Sequence, residues 1–118
     1  MMQSLQDAMT TLREAGLAVS VTTHNSLQIG SSLDNVGGGI HVFRDGCALN
    51  PRNDEWVVLL PAEGLTQYEV PGTLAEGVSL ILAAYHEHRT TGGMFKDACK
   101  RVLKDAEQYL IGRSLAGV

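Results

Sequence analysis

The chain is expected to fold as an α+β domain. The expectation is an N-terminal helix, a four- to five-stranded mostly antiparallel sheet, and two C-terminal antiparallel helices packed on one face as a two-layer sandwich. Three observations predict it. The apolar period is three to four residues at the start, switches to two from Leu17, and returns to three to four after Pro71. The run Trp56–Leu60 is apolar throughout, as in a strand buried on both faces. The connection Thr90-Thr91-Gly92-Gly93 is too short to let two helices lie anything but side by side.

Taken in order, Leu5, Ala8, Met9 and Leu12 share one face of the first helix. Ser4 stands three residues before Asp7, a variant of the capping box, and Gly16 is a natural stop. Leu17, Val19 and Val21 then alternate with small or polar residues, and Leu27 and Ile29 do the same beyond Thr23–Ser26, which predicts a hairpin. The segment 30–38 reads as a loop, Gly39–Gly46 as a strand with Ile40 and Val42 on one face and His41 and Phe43 on the other, and the turn-rich 45–54 as a long excursion. Glu55–Pro61 is the strongest strand, and Thr66–Val70 a short one after Glu63-Gly64.

Thr73 and Glu76 form a capping box that opens the second helix. Its main stripe is Leu74, Val78, Ile81, Leu82 and Tyr85; Gly77, Leu80 and Ala84 form a second face, with a groove where another helix is expected to approach. The last helix is expected from Met94 to Arg113, with Phe95, Ala98, Cys99, Val102, Leu103, Ala106, Tyr109 and Leu110 inward. The element order resembles the double-stranded RNA-binding domain. That family carries lysines at the start of its second helix, whereas here the place is Pro71–Gly77, with Glu76 and no lysine. The resemblance covers element order alone and implies no RNA binding.

At 118 residues, 44% hydrophobic and 19% charged, the chain is read as one globular domain, residues 1–118. No apolar run reaches the roughly 20 residues of a membrane span, and the N-terminus lacks the apolar stretch of a signal peptide. Cys47 and Cys99 lack metal or redox spacing and are read as reduced thiols of a cytoplasmic protein, with a disulfide between them as the alternative. The net charge of −4 argues against nucleic acid. Five basic residues from Lys96 to Arg113 face three acidic ones, so an acidic body carries a mildly basic tail helix.

Four histidines invite a metal reading. His86 and His88 are two apart, so on a helix turning about 100° per residue they point to nearly opposite sides. With Arg89 they suit the negative end of a helix instead. His24 and His41, with the Gly37–Gly39 loop, are the remaining candidates for a metal or small-ligand site, and no cofactor is expected. That glycine run is followed by a strand and by no Lys-Ser or Lys-Thr, unlike a phosphate loop. There is no Gly-x-Ser-x-Gly elbow; Cys47 is expected in a loop without the positive surroundings of a reactive thiol. An enzyme reading would need Cys47 or a histidine to titrate abnormally.

These features favour a small, soluble, non-enzymatic module, an adaptor, inhibitor or immunity-type protein, that binds another protein or a second copy of itself. Its candidate contacts are Asp34, Arg52 and Asp54 in the two loops, and Lys96, Lys100 and Lys104 spaced four apart on the last helix. The alternative is a small-ligand or metal-binding domain built on His24, His41 and the glycine loop.

Overall fold

A computed structural model describes residues 4–22, 25–30, 33–36, 40–43, 46–64 and 66–112, the side chains of 33–36 and 40–43 excepted. Helix α1 (Leu5–Glu14) starts at Ser4, whose hydroxyl accepts the Asp7 N–H at 3.1 Å. It ends in Ala15 and Gly16, the latter at φ 94°, a left-handed conformation that glycine adopts without strain. The expected hairpin follows as β1 (Val19–Val21) and β2 (Leu27–Ile29).

The sheet has more strands than the sequence predicts. Strand β3 (Leu33–Val36) pairs with β4 (Ile40–Phe43) in a separate two-stranded sheet, so part of the expected loop is strand. The expected excursion is strand β5 (Cys47–Arg52), joined to β6 (Glu55–Pro61) by a two-residue turn. Asn53 takes a φ of 51° there, which Asn tolerates better than most residues. The turn residues had masked the strand because Asn50, Pro51 and Arg52 belong to its end, where β5 runs past β2 and has β6 as its one neighbour. Strand β7 (Thr66–Gly72) and β8 (Leu110–Gly112) complete a six-stranded antiparallel sheet in the order β1-β2-β5-β6-β7-β8. Pro51, Pro61 and Pro71 all fall where the strand has one ladder neighbour among the described residues, so a missing N–H breaks no two-sided pairing.

Register assigns the faces. Val19, Ile29 and Cys47 lie in one row, and Leu27, Leu49, Val58 and Val70 in the next, all toward the helices. All but Val70 join Leu12 of α1 and Ile81 and Ala84 of α2 (Leu74–Thr91) in one buried cluster, against which Val70 packs half-buried. The capping box of α2 is complete: Glu76 N–H donates to Thr73 Oγ1 at 3.0 Å, and Thr73 N–H to Glu76 Oε1 at 2.8 Å. Gly77 does not receive a helix. It lies on the sheet, where an added Cβ would stand 2.6 Å from Leu49 Cδ1 and 3.1 Å from Val58 Cγ2.

The last helix is shorter than its apolar period suggests. Helix α3 (Phe95–Val102) stops as Leu103 turns extended, Asp105 takes a left-handed φ of 53°, and a 3₁₀ turn (Ala106–Tyr109) leads into β8. Leu103 and Ala106 are still buried, so a helical spacing of apolar residues is satisfied by a path that leaves the helix. What the departure gains is a ladder on β7, from Thr66↔Gly112 to Tyr68↔Leu110.

Gly77→Ala is expected to destabilise the fold by about 1–3 kcal/mol, because both neighbours are themselves buried and overpacking outweighs the roughly 1 kcal/mol of helix propensity gained. Thr73→Ala should cost about 1 kcal/mol by loss of the cap. Urea unfolding of the two variants checks both; a Gly77→Ala protein as stable as the parent would mean that α2 can lift off the sheet.

Candidate functional site

The ends of α1 and α2 meet the start of α3 around a cleft of about 470 Å³. One wall is the chain Gly16-Leu17-Ala18, which leaves α1 for β1. This wall is fixed by polar contacts to its own backbone. The Arg13 guanidinium donates to the Val19 carbonyl at 3.0 Å, and the Gly30 N–H to the Ala18 carbonyl at 3.1 Å. Arg89, at the end of α2, reaches the Ala15 carbonyl at 3.4 Å and so ties the two helix ends together.

The other wall is aromatic. Tyr85 and Phe95 stack with centroids 4.3 Å apart and planes at 28°. His88 meets the same Phe95 edge-on at 5.8 Å. Its Nδ1 is buried without a hydrogen-bond partner among the described residues, an arrangement that costs about 1–3 kcal/mol in a protein interior. Met94, 57% exposed, stands at the rim.

Several charged groups among the described residues are engaged. Glu87 accepts from Thr91 and from Arg101, each at 3.0 Å, and these bonds hold its carboxyl below the usual range. Glu63 is lowered by its hydrogen bond to Lys96, and the same bond raises the Lys96 ammonium. On the outer face of the sheet Arg52 pairs with Glu69. By register these residues lie diagonally across β6, and the line joining them crosses Val57, which is buried on the face away from the helices.

Among the described residues, those singled out from sequence do not converge. His24 and Gly37–Gly39 lie outside the described residues, as do the side chains of His41 in β4 and Asp34 in β3. His86 is exposed and His88 half-buried on α2, and the structure puts them on different sides as their spacing requires. Among the described residues no group of three His, Cys, Asp or Glu is placed to hold a metal ion. Lys96 and Lys100 lie on α3, but Lys104 comes after the helix ends, so the expected row of three is broken by the turn at Leu103–Asp105. Asp54 is exposed in the β5–β6 turn.

Cys47 is corrected from loop to buried strand, and Cys99 is buried on α3. Both are free thiols. Burial pushes Cys99 up to about 12; burial, then the proximity of Cys99, pushes Cys47 well above its ordinary value. The abnormal titration therefore runs away from reactivity. No family model, curated protein or solved structure matches the chain.

The cleft residues carried no separate sequence signal, since Tyr85 and Phe95 read as core stripes. Leu110 and Ile111 were equally hidden by their helical spacing. In the structure they form an edge strand and are 43% and 38% exposed.

Both thiols should resist a disulfide reagent in the native state and react at the rate of unfolding. Their raised values also set the alkaline limb of stability. The unfolded thiols ionise from about pH 8.5 while the native ones stay protonated, so the unfolded form binds fewer protons and stability falls as pH rises from there toward about 12. A Cys99→Ala variant should lose stability less steeply between about pH 8.5 and 10, as measured by urea midpoints. Equal slopes would show that Cys99 ionises as readily folded as unfolded.

Proposed function

We propose that this chain is a non-enzymatic protein-interaction module whose sheet edge takes an extended, apolar segment of another protein as a further strand. The observation that supports it is β8. It ends the six-stranded sheet, no described strand lies beyond it, and all three of its residues are exposed. An edge strand offers unpaired N–H and C=O groups, and Leu110 and Ile111 add apolar surface on both sides of it. At the opposite edge, β1 exposes Ser20 and Val21 and buries Val19, so it offers less apolar surface.

The occupant is another protein rather than a second copy. Each copy carries a net charge of −4, so two copies repel, and two three-residue strands bury too little area to overcome that. A partner without net negative charge meets no such barrier. Buried thiols of suppressed reactivity fit a binding role better than a nucleophilic one. No helix among the described residues is long and apolar enough to cross a membrane.

Ile111→Lys tests the reading, because a lysine on an edge strand opposes strand addition while leaving the fold within about 0.5 kcal/mol of the parent. A partner co-purified from the native source should slow amide exchange at Leu110–Gly112, and the variant should lose it. Partner binding that leaves β8 exchange and Ile111→Lys unaffected overturns the edge-strand site. Sedimentation as a dimer that dissociates in Ile111→Lys would reassign the edge to a second copy.

A further inference from the structure

The cleft between α1, α2 and α3 has the volume of a small-molecule site. We propose that it binds a small, flat, uncharged heteroaromatic molecule, which lies against the Tyr85–Phe95 wall and Met94 and hydrogen-bonds to His88. This site is separate from the edge strand and does not rest on it.

Each property of the ligand follows from a property of the cleft. It is flat and aromatic because one wall is an aromatic pair and the rim is an exposed thioether, both of which favour a ring. It is small because the opposite wall is backbone, Gly16-Leu17-Ala18, pinned by Arg13 and by the Gly30 N–H. A side chain at Gly16 would stand 3.9 Å from the Arg89 guanidinium, in strained backbone besides, so that wall stays low.

The ligand is uncharged because the ions around the mouth have partners. Arg13 and Arg89 donate to backbone carbonyls, and Glu87 is shared between Thr91 and Arg101. The C-terminal ends of α1 and α2 present carbonyls that would oppose an anion. It is nevertheless polar at one edge, because the half-buried imidazole of His88 lines the cleft. A heteroaromatic edge bearing both a donor and an acceptor can pair with an imidazole in either tautomer.

Benzimidazole serves as the probe, with cyclohexanol as a control that is not flat and benzoate as one that is charged. The readout is the amide resonances of Gly16, Gly30 and Gly93 in the purified protein, none of which lies on β8. Saturable shifts at these glycines with benzimidazole are expected, with weaker effects from either control. His88→Phe keeps the ring and its contact with Phe95 but removes the nitrogens, and it should weaken binding by about fivefold to tenfold, the effect of one net hydrogen bond. Circular dichroism confirms that the variant is folded; should it not be, His88→Gln with the same probe takes its place, and retention of more affinity than Met94→Glu is expected. No shift with benzimidazole, equal affinity in the folded His88 variant, or equal shifts with cyclohexanol or benzoate would overturn the proposal.

Discussion

The close approach of α2 to the centre of the sheet is the constraint on which the rest of the structure depends. At Gly77 the helix lies so near β5 and β6 that a single added carbon would meet Leu49 and Val58. Helices ordinarily keep their distance from a sheet by the length of a side chain. Here the missing side chain lets Val78, Ile81 and Ala84 sink into the same layer as Leu27, Leu49 and Leu60. The other helices are then positioned against α2: α1 through Arg89 and the Ala15 carbonyl, and α3 through the stack of Tyr85 on Phe95 and the pair of Glu87 with Arg101. The cleft is a consequence of that arrangement. Three helix ends converge where α2 finishes, and their side chains do not fill the space between them.

Electrostatics in this chain is local. Its acidic balance suggests a broad negative surface, yet several of its charges are spent on nearby partners. Glu63 holds Lys96, Glu69 holds Arg52, and Glu76 holds the backbone at Thr73. Such exposed pairs contribute little to stability. The Arg52–Glu69 pair instead covers Val57 on the open face of the sheet. The net charge therefore bears more on long-range encounter with a partner than on recognition at either candidate site.

The sheet also shows how edges are managed. Both edge strands are three residues long, which restricts indiscriminate pairing. The three prolines lie beyond the doubly paired stretches, so the interior of the ladder keeps its donors. Strand β8 departs from this caution by exposing Leu110 and Ile111 together.

Local physics was legible without coordinates. The capping box at Thr73 and Glu76, the stop at Gly16, the β1–β2 hairpin and the interior place of β6 each depend on neighbours in the chain, so residue type and spacing were enough to determine them. The α+β class followed from the change of period. The wrong spacing of His86 and His88 for a shared ion was equally a matter of helix geometry. Tertiary pairing alone decided the remainder. The segment Asn50–Arg52 has turn chemistry and became strand because β6 lies beside it. Leu103 to Leu110 has helical spacing and left the helix because β7 had an edge to be paired. Gly77 faces a sheet rather than a helix, and Cys47 is buried, for the same reason: which surface a residue meets depends on partners far away in the chain. The cleft belongs to this second class, since it is a gap between three elements and no single one of them encodes it.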